Sequence, residues 1–421
     1  MGNYDELDDE IDREMGWKSG LKSDSPRRRP DYWQALLRTA KASTSPFWHG
    51  FTHVARAVGK VVFFPLISPL SYSRRFNVHG DMMIVKRSLL WRIFDGLFTR
   101  LLLTPVILAA FLIATVYAST HPKTVQALST PDGYGVYFKR VSLVTVDNQR
   151  LTGWFVPPMN ADEVAFDPEG TLAQKWPAVV VCHGLGASHD QYLPLMQELH
   201  EAGFAVLMLD MRGQGESDAG AVTYGLRERM DVLAGVKFLR ETAYVDETKV
   251  CVVGHDIGAT ASLQAAALDS SITAVVADGL WPKFEDRARE IFSRPPAEAG
   301  PWAGQGGRMP TQWLAPLYTM TFEIAVRDRL EQLNSETVVR SLHKPVLFIA
   351  RSGQEFVSVQ DLLTLATIAG GEHDVFIDRP SIQGHAERRI RDFLVKAAHW
   401  KGPKSHGVQQ IEQLLKNRVG K

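Results

Sequence analysis

The chain has 421 residues, 45% of them hydrophobic and 22% charged, which suits a globular protein with a substantial core and leaves room for one large domain with extras or for two domains. Lys+Arg and Asp+Glu are both 47, so a formal net charge of zero gives no whole-chain reason to expect a nucleic-acid partner. Only two cysteines occur, Cys182 and Cys251, both inside apolar runs; this excludes a disulfide framework, argues against a structural zinc site, and reads as a pair of buried thiols.

Residues 1–30 are polar, acidic at first and basic at the end (Arg27-Arg28-Arg29-Pro30), the composition of a disordered tail. From residue 31 to residue 100 aromatics such as Trp33, Trp48, Phe51 and Trp91 are mixed with cations such as Arg38, Arg56, Arg74 and Arg92, and acidic residues are sparse. That mixture places rings at lipid headgroups and cations against anionic lipid, so the segment is expected at a membrane surface. Residues 101–120, LLLTPVILAAFLIATVYAST, carry no charge. About 20 apolar residues suffice to cross a bilayer core of about 30 Å, so a transmembrane helix is expected there, with Pro105 in its first turns where proline disturbs least. The cations on the N-terminal side put that side in the cytoplasm and the chain beyond the span outside it. The apolar stretch from Val61 to Ile67 is too short to span; a second crossing there would reverse this topology.

Beyond the span, residues 135–150 and 151–157 alternate like paired strands around a polar turn. Strand and helix patterns then take turns. Strands are expected at 176–182, 204–209, 250–253, 272–277, 345–349 and 374–377, and helices at 190–201, 224–242, from 259, 359–369 and 386–399. Repeated βα units with near-continuous apolar strands call for a mostly parallel sheet covered by helices on both faces, an α/β fold. Residues 278–343, rich in Gly, Pro and Trp and without a clear period, interrupt the alternation after a strand end, where cap insertions form. Residues 401–421 make a basic tail.

Three motifs follow strand ends in this region. They are His183-Gly184-Leu185-Gly186, Asp210-Met211-Arg212-Gly213-Gln214-Gly215-Glu216-Ser217, and Gly254-His255-Asp256-Ile257-Gly258. In this order, with His385 after the last strand, residues 130–400 resemble the α/β-hydrolase fold: an oxyanion loop, a D-x-R-G-x-G-x-S turn and a nucleophile elbow. The resemblance implies an Asp256 nucleophile, a His385 base, and an oxyanion hole from the amides of Leu185 and Ile257, with His183, Gly184, Gly254 and Gly258 shaping the motifs. It implies a small-molecule substrate and neither a metal nor an organic cofactor; Gly184 and Gly186 lack the Lys-Ser/Thr that a phosphate-binding loop requires.

The acid that orients the histidine is open at this point. Gln354 stands where the family pattern has an aspartate, Glu355 is one residue on, and Glu285 lies at an alternative location, while Asp278 reads as a strand-end cap. Aspartate at the elbow resembles epoxide hydrolases and haloalkane dehalogenases, which work through an alkyl ester on the carboxylate. The Leu185-Gly186 end of the oxyanion motif and the N-terminal hairpin resemble the serine esterase and peptidase branch instead. Ile257 follows the elbow residue where dehalogenases have a halide-binding tryptophan. Two expectations therefore stand side by side: a membrane-anchored hydrolase acting through Asp256, and an inactive scaffold serving binding at the bilayer.

Overall fold

A computed structural model describes residues 72–76, 82–122, 124–159, 173–293, 312–351, 358–378 and 385–402. The expected disordered tail, the 61–67 stretch, the Gln354–Glu355 pair and all but the start of the basic C-terminal tail lie outside the described residues. The chain divides into two compact units: His121–Arg287 with Arg329–Lys421, and Thr44–Thr120 with Ala288–Asp328.

In the first unit the strands are β3 (Lys139–Val144), β4 (Arg150–Val156), β5 (Trp176–Cys182), β6 (Ala205–Leu209), β7 (Val245–His255), β8 (Ile272–Asp278), β9 (Val346–Arg351) and β10 (His373–Asp378). They form one sheet in the order β10-β9-β8-β7-β5-β6-β4-β3. Strands β5 to β10 run parallel, and β4 and β3 close one edge antiparallel. The exchange of β5 and β6 in that order sets β5 and β7 side by side, Cys182 opposite Gly254, so the loops that follow these two strands start together.

Every residue of β5 and β6 is buried, as strands covered on both faces must be. Helices α2 (Leu193–Glu201) and α9 (His385–Ala397) cover one face: Leu195, Met196, Leu199, Ile390 and Leu394 share a core with Val179, Val181, Val206 and Val253. Helices α3 (Glu228–Glu241), α4 (Ile257–Leu268) and α8 (Val359–Thr367) also pack on the sheet, α3 on β5 and β7, α4 on β7 and β8, and α8 on β9 and β10. Gly235 of α3 approaches so closely that a Cβ there would lie 2.8 Å from Leu209 and 3.0 Å from Val180. The helix expected from residue 224 starts at Glu228. The reason is a turn in which the buried Glu228 carboxylate accepts Thr223 and Gly225 backbone N–H groups and the Thr223 hydroxyl. Both cysteines are buried and free, and burial pushes both thiols up, Cys251 to about 12.

The second unit contains a strand pair, β1 (Tyr72–Phe76) with β2 (Met82–Lys86), the helix α1 (Leu89–Thr120) and the helix α6 (Ala315–Val326). Helix α5 (Phe284–Ser293) begins in the first unit and ends in the second, and α7 (Ser335–Ser341) belongs to the first. Helix α1 is 32 residues long and starts twelve residues before the charge-free stretch, at Leu89. Polarity decides what surrounds a helix rather than whether one forms, so Arg92, Asp95 and Arg100 do not delay its start. Pro105 consequently lies inside the helix and not in its first turns, where it removes one backbone donor and leaves the Leu101 carbonyl without its usual partner. Long and apolar enough to cross a membrane, α1 is buried along Phe111, Leu112, Thr115, Val116, Ser119 and Thr120. That face meets α6 and the Phe292 ring, with Ser119 Oγ and Tyr318 Oη 2.7 Å apart.

Candidate active site

The elbow is built by β7 running straight into α4. Asp256 sits between them at φ 51°, ψ −111°, a strained conformation that a functional site commonly retains. Two glycines make the turn possible. A Cβ on Gly254 would lie 2.0 Å from the Gly258 carbonyl oxygen, and one on Gly258 would lie 2.6 Å from the Cys182 carbonyl oxygen. Helix α4 is anchored by the Asp256 carbonyl, which accepts from the amides of Ala259 and Thr260. Ile257 is fully buried at the first position of α4, where backbone N–H groups lack helical partners and suit an anion.

The carboxylate of Asp256 has three neighbours. Leu185 N–H donates to Oδ2 at 3.4 Å, so the oxyanion loop touches the elbow side chain directly. The indole Nε1–H of Trp281 donates to Oδ1 at 3.3 Å. A guanidinium nitrogen of Arg287 lies 3.6 Å from Oδ2, in an ion pair whose side chains are 11% and 17% exposed. Trp281 is itself held: its ring meets Phe284 edge-on, and its carbonyl accepts from the buried Ser335 hydroxyl at 2.9 Å. Beside the elbow, His255 Nδ1 lies 3.4 Å from Oδ2 of Asp278, and the Asp278 carbonyl accepts the Asp256 amide at 2.9 Å. Asp278 thus fastens the elbow from the neighbouring strand, in keeping with its reading as a strand-end cap.

The other two motifs hold each other. His183 is fully buried; its Nε2 accepts the Met211 amide at 3.1 Å, which leaves the proton on Nδ1 to reach the Gly184 carbonyl at 2.8 Å. Burial pushes this imidazole down from its ordinary pKa and keeps it neutral, as that bonding pattern needs. Gln214 Oε1 accepts the Gly186 amide at 2.6 Å, and Asp210 Oδ1 accepts the His189 amide at 3.0 Å. The turn after β6 is therefore a clamp on the oxyanion loop. Burial alone would raise Asp210, but the His189 ring at 2.6 Å, the His183 ring and the Glu216 amide outweigh it and hold the carboxyl below its usual range.

His385 opens α9 with an exposed side chain whose ring meets Phe376 edge-on, centroids 6.4 Å apart. Among the described residues, no hydrogen bond or ion pair joins it to Asp256. Glu355 lies outside the described residues, and Glu285 is exposed in the first turn of α5. The structure thus brings Asp256, Leu185, Ile257, Gly254, Gly258, His183 and Gly184 together, with no direct bond from His385 to the elbow carboxylate among the described residues. Trp281 and Arg287 are additions that the motifs alone do not supply. The available signal is their place just beyond the C-terminal end of β8, where side chains of a parallel sheet meet a ligand crevice. No group of three or more His, Cys, Asp or Glu fit to hold a metal ion occurs among the described residues.

Residues 177–306 match the family described as alpha/beta hydrolase fold. An uncharacterised protein of Mycobacterium tuberculosis is 28% identical over 123 residues, 29% of this chain and 39% of that protein. The polyketide transferase grgF of a Penicillium species is 27% identical over 140 residues, 32% of this chain and 43% of that protein. The chain thus spans less than half the length of either relative. Among solved structures, the Pyrococcus furiosus esterase Pf2001 covers 65% of this chain and 98% of its own, at 20% identity and a TM-score of 0.47. Acetyl xylan esterase 1 from a Thermoanaerobacterium species covers 69% of this chain and 93% of its own, at 15% identity and a TM-score of 0.47. The family match over residues 177–306 and a mostly parallel mixed sheet with a strand–turn–helix elbow at the end of β7 both fit the α/β-hydrolase fold.

Proposed function

We propose that this protein is a membrane-anchored hydrolase of small molecules that uses Asp256 as a nucleophile toward an electrophilic sp³ carbon, such as an epoxide or alkyl-halide carbon. Oδ1 attacks that carbon and the bond to its leaving group breaks, forming an alkyl ester on Asp256. His385 then takes a proton from water as the water attacks the Asp256 Cγ carbonyl. The oxyanion forms on Oδ2, the oxygen facing Leu185, and on collapse the proton held by His385 passes to the departing alkoxide, releasing an alcohol and, after loss of the remaining proton to solvent, returning the carboxylate. The observation that carries this reading is the Leu185 amide at Oδ2: one oxygen already faces an oxyanion donor, as the ester's carbonyl oxygen must. In this scheme His385 comes within reach of the ester only in the loaded enzyme; catalytic hydrogen bonds are often long or unmade in ligand-free enzymes. Helix α1 is the anchor, with the N-terminal side in the cytoplasm and the hydrolase domain beyond the membrane.

Turnover of an epoxide and alkyl-halide panel in ¹⁸O-water is expected to place label in Asp256 after repeated cycles, by peptide mass spectrometry. Turnover that persists unchanged in Asp256→Ala overturns the mechanism.

A second reading has its own support. Arg287 and Trp281 occupy both carboxylate oxygens with stabilising partners, which suits a fixed structural carboxylate in a binding protein. Under that reading the parent shows no turnover on any panel member, and Asp256→Ser acquires esterase activity.

A further inference from the structure

We infer that helix α6 is itself a lipid-contacting element that enters the bilayer alongside α1. The inference rests on the proposed anchoring of α1 and adds a second membrane element to it. The first ground is depth. The charge-free stretch begins after Arg100, and about 20 residues are needed to cross the hydrocarbon, so the span uses residues 101–120 in full. The last ten of these are the ones whose inner face packs on α6 and Phe292. A helix laid against the lipid-embedded half of a span shares its depth.

The second ground is the outward face of α6. Trp313, just before the helix, and Leu317, Met320 and Ile324 are 63%, 37%, 61% and 67% exposed. Their spacing of three and four residues makes one stripe; Pro316 and Ala325 are the other exposed residues of the helix, while Thr319, Thr321 and Glu323 are half-buried beside it. Water offers no partner for such a face, whereas acyl chains do. On α1, Ile113 and Tyr117 lie off the buried face and are about as exposed as Met320 and Ile324. A tryptophan at one end of α6 and the exposed Arg327 at the other suit the polar boundary of a bilayer.

The third ground is the pairing of hydroxyls. Thr115 and Thr120 of α1 donate to the Phe111 and Val116 carbonyls, and Thr319 and Thr321 of α6 donate to the Ala315 and Leu317 carbonyls. Ser119 and Tyr318 satisfy each other across the helix pair. Such internal satisfaction is what hydroxyls require at lipid depth. With about 18 Å of length from its 12 residues, α6 is too short to cross and lies as a re-entrant or in-plane element.

The test uses full-length protein in phosphatidylcholine–phosphatidylglycerol nanodiscs, with an environment-sensitive fluorophore placed separately at M320C, I113C and the exposed K237C. Doxyl-labelled lipid is expected to quench M320C as strongly as I113C, and to leave K237C unchanged. Quenching at I113C with none at M320C beyond the K237C level overturns the inference while leaving the α1 anchor standing. Absence of quenching at both positions overturns the anchor and the inference with it.

Discussion

Arg287 puts a full positive charge 3.6 Å from an oxygen whose own charge would change twice in the proposed cycle. When Asp256 attacks carbon, negative charge leaves its carboxylate for the departing group, so the guanidinium favours the ground state. When water attacks the ester, negative charge returns to the same oxygen, and the guanidinium favours the transition state. Removing it is therefore expected to change which step limits. Arg287→Met should lower kcat by roughly tenfold or more, by analogy with the loss of an oxyanion donor, and allow the alkyl-enzyme to accumulate. Intact-mass measurement during steady-state turnover reads this directly; a slowed enzyme with no adduct contradicts the assignment. Trp281 adds a neutral donor at the other oxygen, and its fixed setting against Phe284 and Ser335 keeps that N–H aimed without rearrangement. The elbow lacks a tryptophan next to Asp256 in the chain, yet an indole N–H reaches the carboxylate from the loop after β8.

At the scale of elements, the turn between β6 and α3 does more than connect them. Its Asp210 and Gln214 fasten the oxyanion loop, while its Arg212 enters a buried network. The Arg212 guanidinium bonds Asp231 at 2.6 and 2.9 Å and Asp147, on the β3–β4 connection, at 2.6 and 3.0 Å. Chiefly through those bonds, Asp147 is held at about 2, below its ordinary 3.8. A carboxyl lowered on folding contributes stability above its unfolded pKa and loses that contribution as pH falls through the folded value. Asp147→Asn is accordingly expected to cost about 1–2 kcal/mol near neutral pH. The gap to the parent should stay full above pH 3.8 and close toward pH 2, as denaturant unfolding at a series of pH values would show. A gap that stays constant down to pH 2 would assign the effect to packing.

For the molecule as a whole, the proposed single span would make the hydrolase domain extracytoplasmic, since the cations precede the charge-free stretch 101–120. Alkaline phosphatase fused at the C-terminus should then be active in a bacterial host and a cytoplasm-only fluorescent reporter dark; the converse pattern reverses the topology. The parallel strands are legible in the chain because each is a short, nearly pure apolar run closed by a motif glycine or a charge, as in Trp176–Cys182 before His183. Helix starts are less legible. Buried polar turns such as Thr223–Glu228, and caps that depend on tertiary contacts, shift them by a few residues. Of the site, the elbow and the oxyanion loop are local in sequence and can be read there. Arg287 and Trp281 converge on Asp256 only through the packing of the region after β8, which has no period to betray it. His385 is singled out by its place after the last strand, but its edge-on contact with Phe376 is visible only in the three-dimensional structure.

The early start of α1 has a mechanical consequence. At 1.5 Å per residue its 32 residues measure about 48 Å, against a hydrocarbon layer of about 30 Å. The surplus lies on the N-terminal side, where Arg87, just before the helix, sits 5.8 Å from the Trp91 ring centroid and 3.6 Å from the Asp95 carboxylate. Such a collar resists being drawn into lipid, so a thicker bilayer would be met by straightening the helix and a thinner one by tilting it. With α1 as the proposed anchor, membrane thickness would act on this protein through the tilt of that helix.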